Sequence, residues 1–147
     1  MSDQHTFFTD RDLGRRFPEV LRQAGLSVET HDAHFQATTP DEDWLSVVGS
    51  SRWIALTRDT RIRYRPNERD AVMRHRVALI VLIGSAPLTD LARNLIATRK
   101  TLYRFLAAHP RPFIAKIYRP GNASVTLGTR PGRIEMSLDY SGWSSDR

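Results

Sequence analysis

Along the chain, short apolar runs alternate with longer stretches in which apolar residues recur every three or four positions. The first run, TFFT at residues 6–9, reads as a strand. Leu13, Phe17, Val20, Leu21 and Ala24 then recur at helical spacing until Gly25 supplies a stop. Pro18 suits a first turn, so a loose turn followed by a helix from Pro18 onward is expected. LSVET, residues 26–30, alternates as an edge strand does, and HDAHFQATTP reads as a loop. In TPDEDWLSVVG, Thr39 is placed to cap a helix, Pro40 to take its first position, Glu42 to close a capping box and Gly49 to end it.

WIALT, residues 53–57, is a buried strand candidate, followed by the polar segment RDTRIRYRPNER and a helix over residues 67–75. The unbroken apolar run in RVALIVLIG suits a central strand of a parallel sheet covered on both faces. A long helix over residues 88–109 carries Leu88, Leu91, Leu95, Leu102 and Leu106 on one stripe, read first as core and second as a homodimer seam. RPFIAKIY supplies a last strand of the main body. This alternation predicts an α/β architecture, with a mostly parallel central sheet flanked by helices and right-handed crossovers. From Arg119 the composition turns rich in Gly, Ser and Pro, with short strands expected near residues 124–127 and 134–138. The expected division is a main domain over residues 1–118 and a C-terminal extension over 119–147, which packs back as a hairpin or binds a partner.

Composition narrows the chemistry. At 147 residues and 40% hydrophobic the chain suits one domain. Its longest apolar run is too short to span a bilayer, and the start lacks the pattern of a signal peptide, so no membrane association and a cytoplasmic location are expected. With no cysteine, thiolate catalysis, thiolate metal ligation and disulfides are excluded. The net charge is +6, and Lys100 and Lys116 are the only lysines. Guanidinium groups pair bidentately with phosphate and stack on bases, which points to a nucleic acid or another polyanion. A GC-rich coding bias accounts for arginine in place of lysine but not for the positive sign.

Candidate chemistry lies in acids that follow strands, because ligands of an open parallel sheet sit beyond the carboxyl ends of its strands. Asp10 follows the first strand and Asp59 follows WIALTR. Asp41 sits at the inward edge of the helical stripe formed by Trp44, Leu45 and Val48, while Glu42 and Asp43 turn away. Singly, Asp10 could cap a helix, Asp41 could complement a helix dipole and Asp59 could form an Asx turn. Together they would repel one another unless a hard divalent cation compensated them. Asp12 and Glu68 are the next candidates. Arg58, Arg61, Arg63 and Arg65 could hold RNA phosphates while Tyr64 stacks a base, with Arg11, Arg15 and Arg16 extending the basic rim; an ordinary solvated loop is the equal alternative. His31, Asp32 and His34 form a weaker metal-ligand candidate.

The order FFTDRDLGRRFPEVLRQAG, TPDEDWL, WIALTRDTRIRY and RVALIVL resembles the PIN-like nuclease domains of bacterial toxin–antitoxin systems, the VapC-like toxins, over residues 6–118. The resemblance implies a PIN-like three-layer fold and an endoribonuclease using Mg²⁺ or Mn²⁺, inhibited by a cognate antitoxin protein. It assigns catalytic and metal-binding roles to Asp10, Asp41 and Asp59; a fourth metal ligand is expected from Asp12 or Glu68. The sequence departs from that pattern at Arg61, where such domains often carry another acid. Two rival readings are a receiver-like phosphoacceptor domain, built on Asp59, Asp10, Ser85 and Lys116, and a catalytically silent partner-binding domain.

Overall fold

The computed structural model describes residues 5–121 and 131–145. Among them lie strands β1 (Thr6–Thr9), β2 (Ser27–Thr30), β3 (Ile54–Thr57), β4 (Ala78–Leu82), β5 (Phe113–Tyr118) and β6 (Arg133–Asp139). The helices are α1 (Arg16–Gln23), α2 (His31–His34), α3 (Asp41–Ser51), α4 (Pro66–Arg74), α5 (Leu88–Ala108) and α6 (Tyr140–Ser145), with 3₁₀ turns at Arg11–Leu13 and Ile62–Tyr64. One sheet has the order β2-β1-β3-β4-β5-β6. Its first five strands are parallel, and β6 runs antiparallel to β5.

Pleating divides the core into two layers around this sheet. Phe7 and Phe8 are both fully buried, yet their side chains leave opposite faces. Phe7 packs with Phe17, Leu21, Leu91 and Leu95, and Phe8 with Trp44, Leu45 and Val48. β4 repeats the pattern, sending Ala78, Ile80 and Leu82 to one face and Leu79 and Val81 to the other. The first face is covered by α1 and α5, which pack on each other, and the second by α3, α4 and Trp143 of α6. Each large apolar side chain buried this way contributes about 1.5–3 kcal/mol. The leucine stripe of α5 faces this core, with Leu91, Leu95 and Leu102 fully buried.

Several local expectations are corrected. Residues 31–34 form a helical turn, not loop, because the Thr30 hydroxyl accepts the Ala33 N–H at 3.3 Å. Pro40 is the cap residue of α3 and the helix starts at Asp41; Thr39 makes no cap, and Glu42 pairs with Arg74 at 2.6 Å instead of closing a capping box. Gly49 lies inside α3. A Cβ there would stand 2.0 Å from the His75 carbonyl oxygen, so the glycine serves the close approach of α3 and the end of α4. The helix stops instead at Arg52, whose left-handed backbone (φ +59°) lets Trp53 N–H reach Val48 O at 3.2 Å. Arg76 closes α4 in the same way, also at φ +59°. The short strand expected near residues 134–138 is present as β6, and it joins the main sheet along the open edge of β5. The strand expected near residues 124–127 lies outside the described residues.

Candidate active site

The strand order contains one topological switch. From β1 the chain crosses to β2 on one side, whereas β3 leads to β4 on the other, so the loops after β1 and β3 part and leave a crevice beyond their carboxyl ends. A cavity of about 560 Å³ opens there, lined by Asp10, Asp12, Asp41, Asp59, Arg11 and His31, together with Ala37 and Thr39. Thus the structure brings the candidate acids from three separated stretches of sequence to one rim. Glu68 is not on it; it sits in the first turn of α4 beside Arg65.

Thr57, the fully buried last residue of β3, organises the inner pair. Its hydroxyl oxygen lies 2.9 Å from an Asp10 carboxylate oxygen and 3.1 Å from one of Asp12, so a single proton is shared between two acceptors. The same oxygen accepts the Asp59 N–H at 3.1 Å. Asp10 also accepts the Arg11 N–H at 2.7 Å, which caps the 3₁₀ turn, and that turn swings Asp12 back over the strand ends, where it accepts the Arg58 N–H at 3.1 Å. Capping and site-building are therefore one arrangement.

Asp41 and Asp59 complete the rim differently. Asp41 starts α3 and accepts the indole N–H of Trp44 at 2.9 Å. Asp59 accepts the Arg61 N–H at 3.0 Å in an Asx turn, and its other oxygen is bound by the Arg65 guanidinium. Its charge is thereby balanced within the protein. Arg61, at the position where such domains often carry another acid, is exposed and contributes backbone groups here: its N–H to Asp59 and its carbonyl to the Tyr64 N–H at 2.8 Å.

The electrostatics mark the inner pair as strained. Asp10 is raised above the ordinary carboxyl range, mainly because burial withdraws water, with Thr57 and Arg11 opposing and Asp41 adding repulsion. Asp12 is pushed up to about 6, again chiefly by loss of water around its carboxylate, then by the charge of Asp10. His31, 2% exposed and packed against Phe8, Phe35 and Trp44, is lowered by burial, which outweighs the attraction of Asp10. Its Nδ1 has no hydrogen-bond partner. His34 turns away to Glu29 at 2.6 Å, so the two histidines do not converge.

Among the described residues no group of three or more His, Asp or Glu side chains is arranged to hold a metal ion. The donor chemistry of the inner pair nevertheless fits a hard divalent cation: two carboxylates tethered to one hydroxyl and raised chiefly by loss of water, then by neighbouring negative charge, a burden that a cation relieves. Mg²⁺ commonly uses one or two carboxylates and keeps several waters.

Of the arginine segment, Arg11 lines the cavity and donates to the Ala37 carbonyl at 2.9 Å, Arg58 is half-buried beside it, and Tyr64 is 66% exposed. Arg63 bonds the Ser137 hydroxyl at 3.0 Å and lies over the Tyr64 ring, while Arg65 is committed to Asp59. Sequence reasoning singled out the acids but not Thr57, whose hydroxyl joins Asp10 and Asp12. The signal was present as a polar residue ending an otherwise apolar strand. No described helix is long and apolar enough to cross a membrane.

A family model described as a PIN like domain matches residues 6–84, just over half of the chain, from β1 to the end of β4. No curated protein and no solved structure matches.

Proposed function

Because the chain belongs to the PIN-like domain family, whose members are typically nucleases, we propose that it is a metal-dependent endoribonuclease acting as the toxin of a bacterial toxin–antitoxin pair. The observation that carries this reading is the convergence of Asp10 and Asp12 on the Thr57 hydroxyl, inside a cavity that Asp41 and Asp59 also line. Asp10 and Asp12 would hold Mg²⁺ or Mn²⁺. Bound there, such an ion supplies charge stabilisation at the phosphoryl group and a more acidic attacking water. Thr57 keeps both carboxylates aimed at one point. Asp41, fixed by Trp44, would add negative potential on its side of the cavity, while Asp59, already paired with Arg65, would contribute little net charge there. Arg11 and Arg58 flank the rim and would place substrate phosphates, and the exposed Tyr64 offers a stacking face beyond them.

The toxin assignment and the antitoxin partner rest on family likeness and on the net charge of +6, which suits RNA and an acidic inhibitor alike. A receiver-like role fits less well, since the Arg65 guanidinium already occupies the Asp59 carboxylate and Lys116 lies mid-strand in β5. The test is cleavage of structured RNAs with Mn²⁺ or Mg²⁺ against EDTA, using the wild type and Asp10→Asn. Metal-dependent cleavage that falls at least about a hundredfold in the variant supports the reading. Cleavage indifferent to both EDTA and the substitution would remove it.

A further inference from the structure

The opposite end of the sheet carries a second concavity that hydrolysis at the acidic rim does not use. Three arginines stand two residues ahead of three adjacent parallel strands: Arg52 before β3, Arg76 before β4 and Arg111 before β5. Neighbouring strands lie about 4.8 Å apart, so these positions are brought side by side. With His5, Tyr103 and His109 they line a cavity of about 330 Å³, a volume in the range of small-molecule sites.

Among the described residues no carboxylate balances the three arginines: none lines the cavity, and none of the three guanidinium groups pairs with an Asp or Glu. Arg111 is partly buried and anchored by its hydrogen bond to the Trp53 carbonyl at 2.9 Å; burial and the charge of Arg52 both lower its pKa. Like charges held together this way favour an incoming anion. Backbone conformation adds an independent sign. Arg52 and Arg76 both occupy the left-handed region at helix ends, where glycine is usual, and at both points an arginine that lines the cavity stands there instead. Beside the charges lie flat rings: His5 stacks on Tyr103 with centroids 4.6 Å apart.

We propose that this cavity binds a phosphate group carried on a nucleoside, with Arg52, Arg76 and Arg111 cradling the phosphate and the His5–Tyr103 wall accommodating the base. A free mononucleotide and the 5′ end of an RNA present the same chemistry. The site is separate from the acidic rim, because its arginines lie ahead of the amino ends of the parallel strands whereas the aspartates lie beyond carboxyl ends of the same sheet.

The test titrates the protein in EDTA by calorimetry with adenosine 5′-monophosphate, adenosine, and RNA trinucleotides bearing a 5′-phosphate or a 5′-hydroxyl. Saturable binding of a phosphorylated probe, and weaker or no binding of its unphosphorylated counterpart, is expected. A mononucleotide preference identifies the free ligand and a trinucleotide preference identifies the RNA end. Arg52→Gly combined with Arg76→Gly removes two charges while suiting the left-handed backbone, so the melting temperature should hold or rise as affinity falls at least about tenfold. The proposal is overturned by no saturable binding, by equal binding of the unphosphorylated probes or of a glutamate-rich peptide, or by unchanged affinity in the folded double variant. None of these outcomes depends on RNA cleavage, so failure here leaves the nuclease reading untouched, and the reverse also holds.

Discussion

Replacing Asp12 by asparagine should separate the stability of this fold from the chemistry of its acidic rim. The amide keeps an oxygen where Asp12 accepts from Thr57 and Arg58, so both hydrogen bonds survive and only the charge is lost. In the folded protein the Asp12 carboxyl is raised from an ordinary value of 3.8 to about 6. A group raised on folding favours the folded state most below its unfolded pKa, and that contribution is lost as pH rises through the folded value. At pH 7 the ionised Asp12 therefore burdens the fold. The full displacement corresponds to about 3 kcal/mol. Asp12 stands at the open side of the rim, however, where solvent screening reduces the effect to about 1 kcal/mol. For a chain of this size that is about 2–4 °C in melting temperature. The assay is thermal unfolding of both proteins in EDTA across a pH series. Asp12→Asn should melt higher at pH 7, and the gap should narrow as pH falls through 6 and close below 3.8, where wild-type Asp12 is protonated in both states. Added Mn²⁺ should stabilise the wild type more than the variant. A variant that melts lower at pH 7, or a gap that persists at low pH, would refute the electrostatic reasoning.

Thr57→Val keeps the shape of the buried side chain but removes the hydroxyl that serves Asp10, Asp12 and the Asp59 N–H. It should lower stability by about 1–3 kcal/mol in denaturant titrations at pH 7, by removing the partner of half-buried acceptors and of the Asp59 N–H, and should weaken Mn²⁺ binding in calorimetry. Gly49→Ala places a Cβ 2.0 Å from the His75 carbonyl oxygen and forces α3 and the end of α4 apart, at a cost of about 1–3 kcal/mol, measurable by chemical denaturation. An alanine tolerated without loss would show that this close approach is not needed for stability.

How far the sequence could be read depends on whether a signal is local. The strands at residues 6–9, 54–57 and 78–82 follow from apolar runs that can only be buried, and the core stripe of α5 follows from 3.6-residue periodicity. Glycine was ambiguous because two different demands select it: Gly25 takes a left-handed turn after α1, whereas Gly49 makes room for a neighbouring backbone, and composition does not distinguish them. The left-handed stops at Arg52 and Arg76 carried no glycine signal at all.

By itself, the order of residues determined that the chain forms an α/β sheet with acids placed after its strands and a surplus of arginine, since burial period and charge are properties of each segment alone. Only the tertiary structure decided which acids share a proton and which are neutralised. Strand order sets Asp10 and Asp12 against Thr57, some 45 residues away in the chain, while Arg65 turns back onto Asp59. The same assembly gathered Arg52, Arg76 and Arg111 at the other end of the sheet. Hydrogen bonds, desolvation and Coulomb energy depend on distance in space, and distance in space is what a linear pattern does not contain.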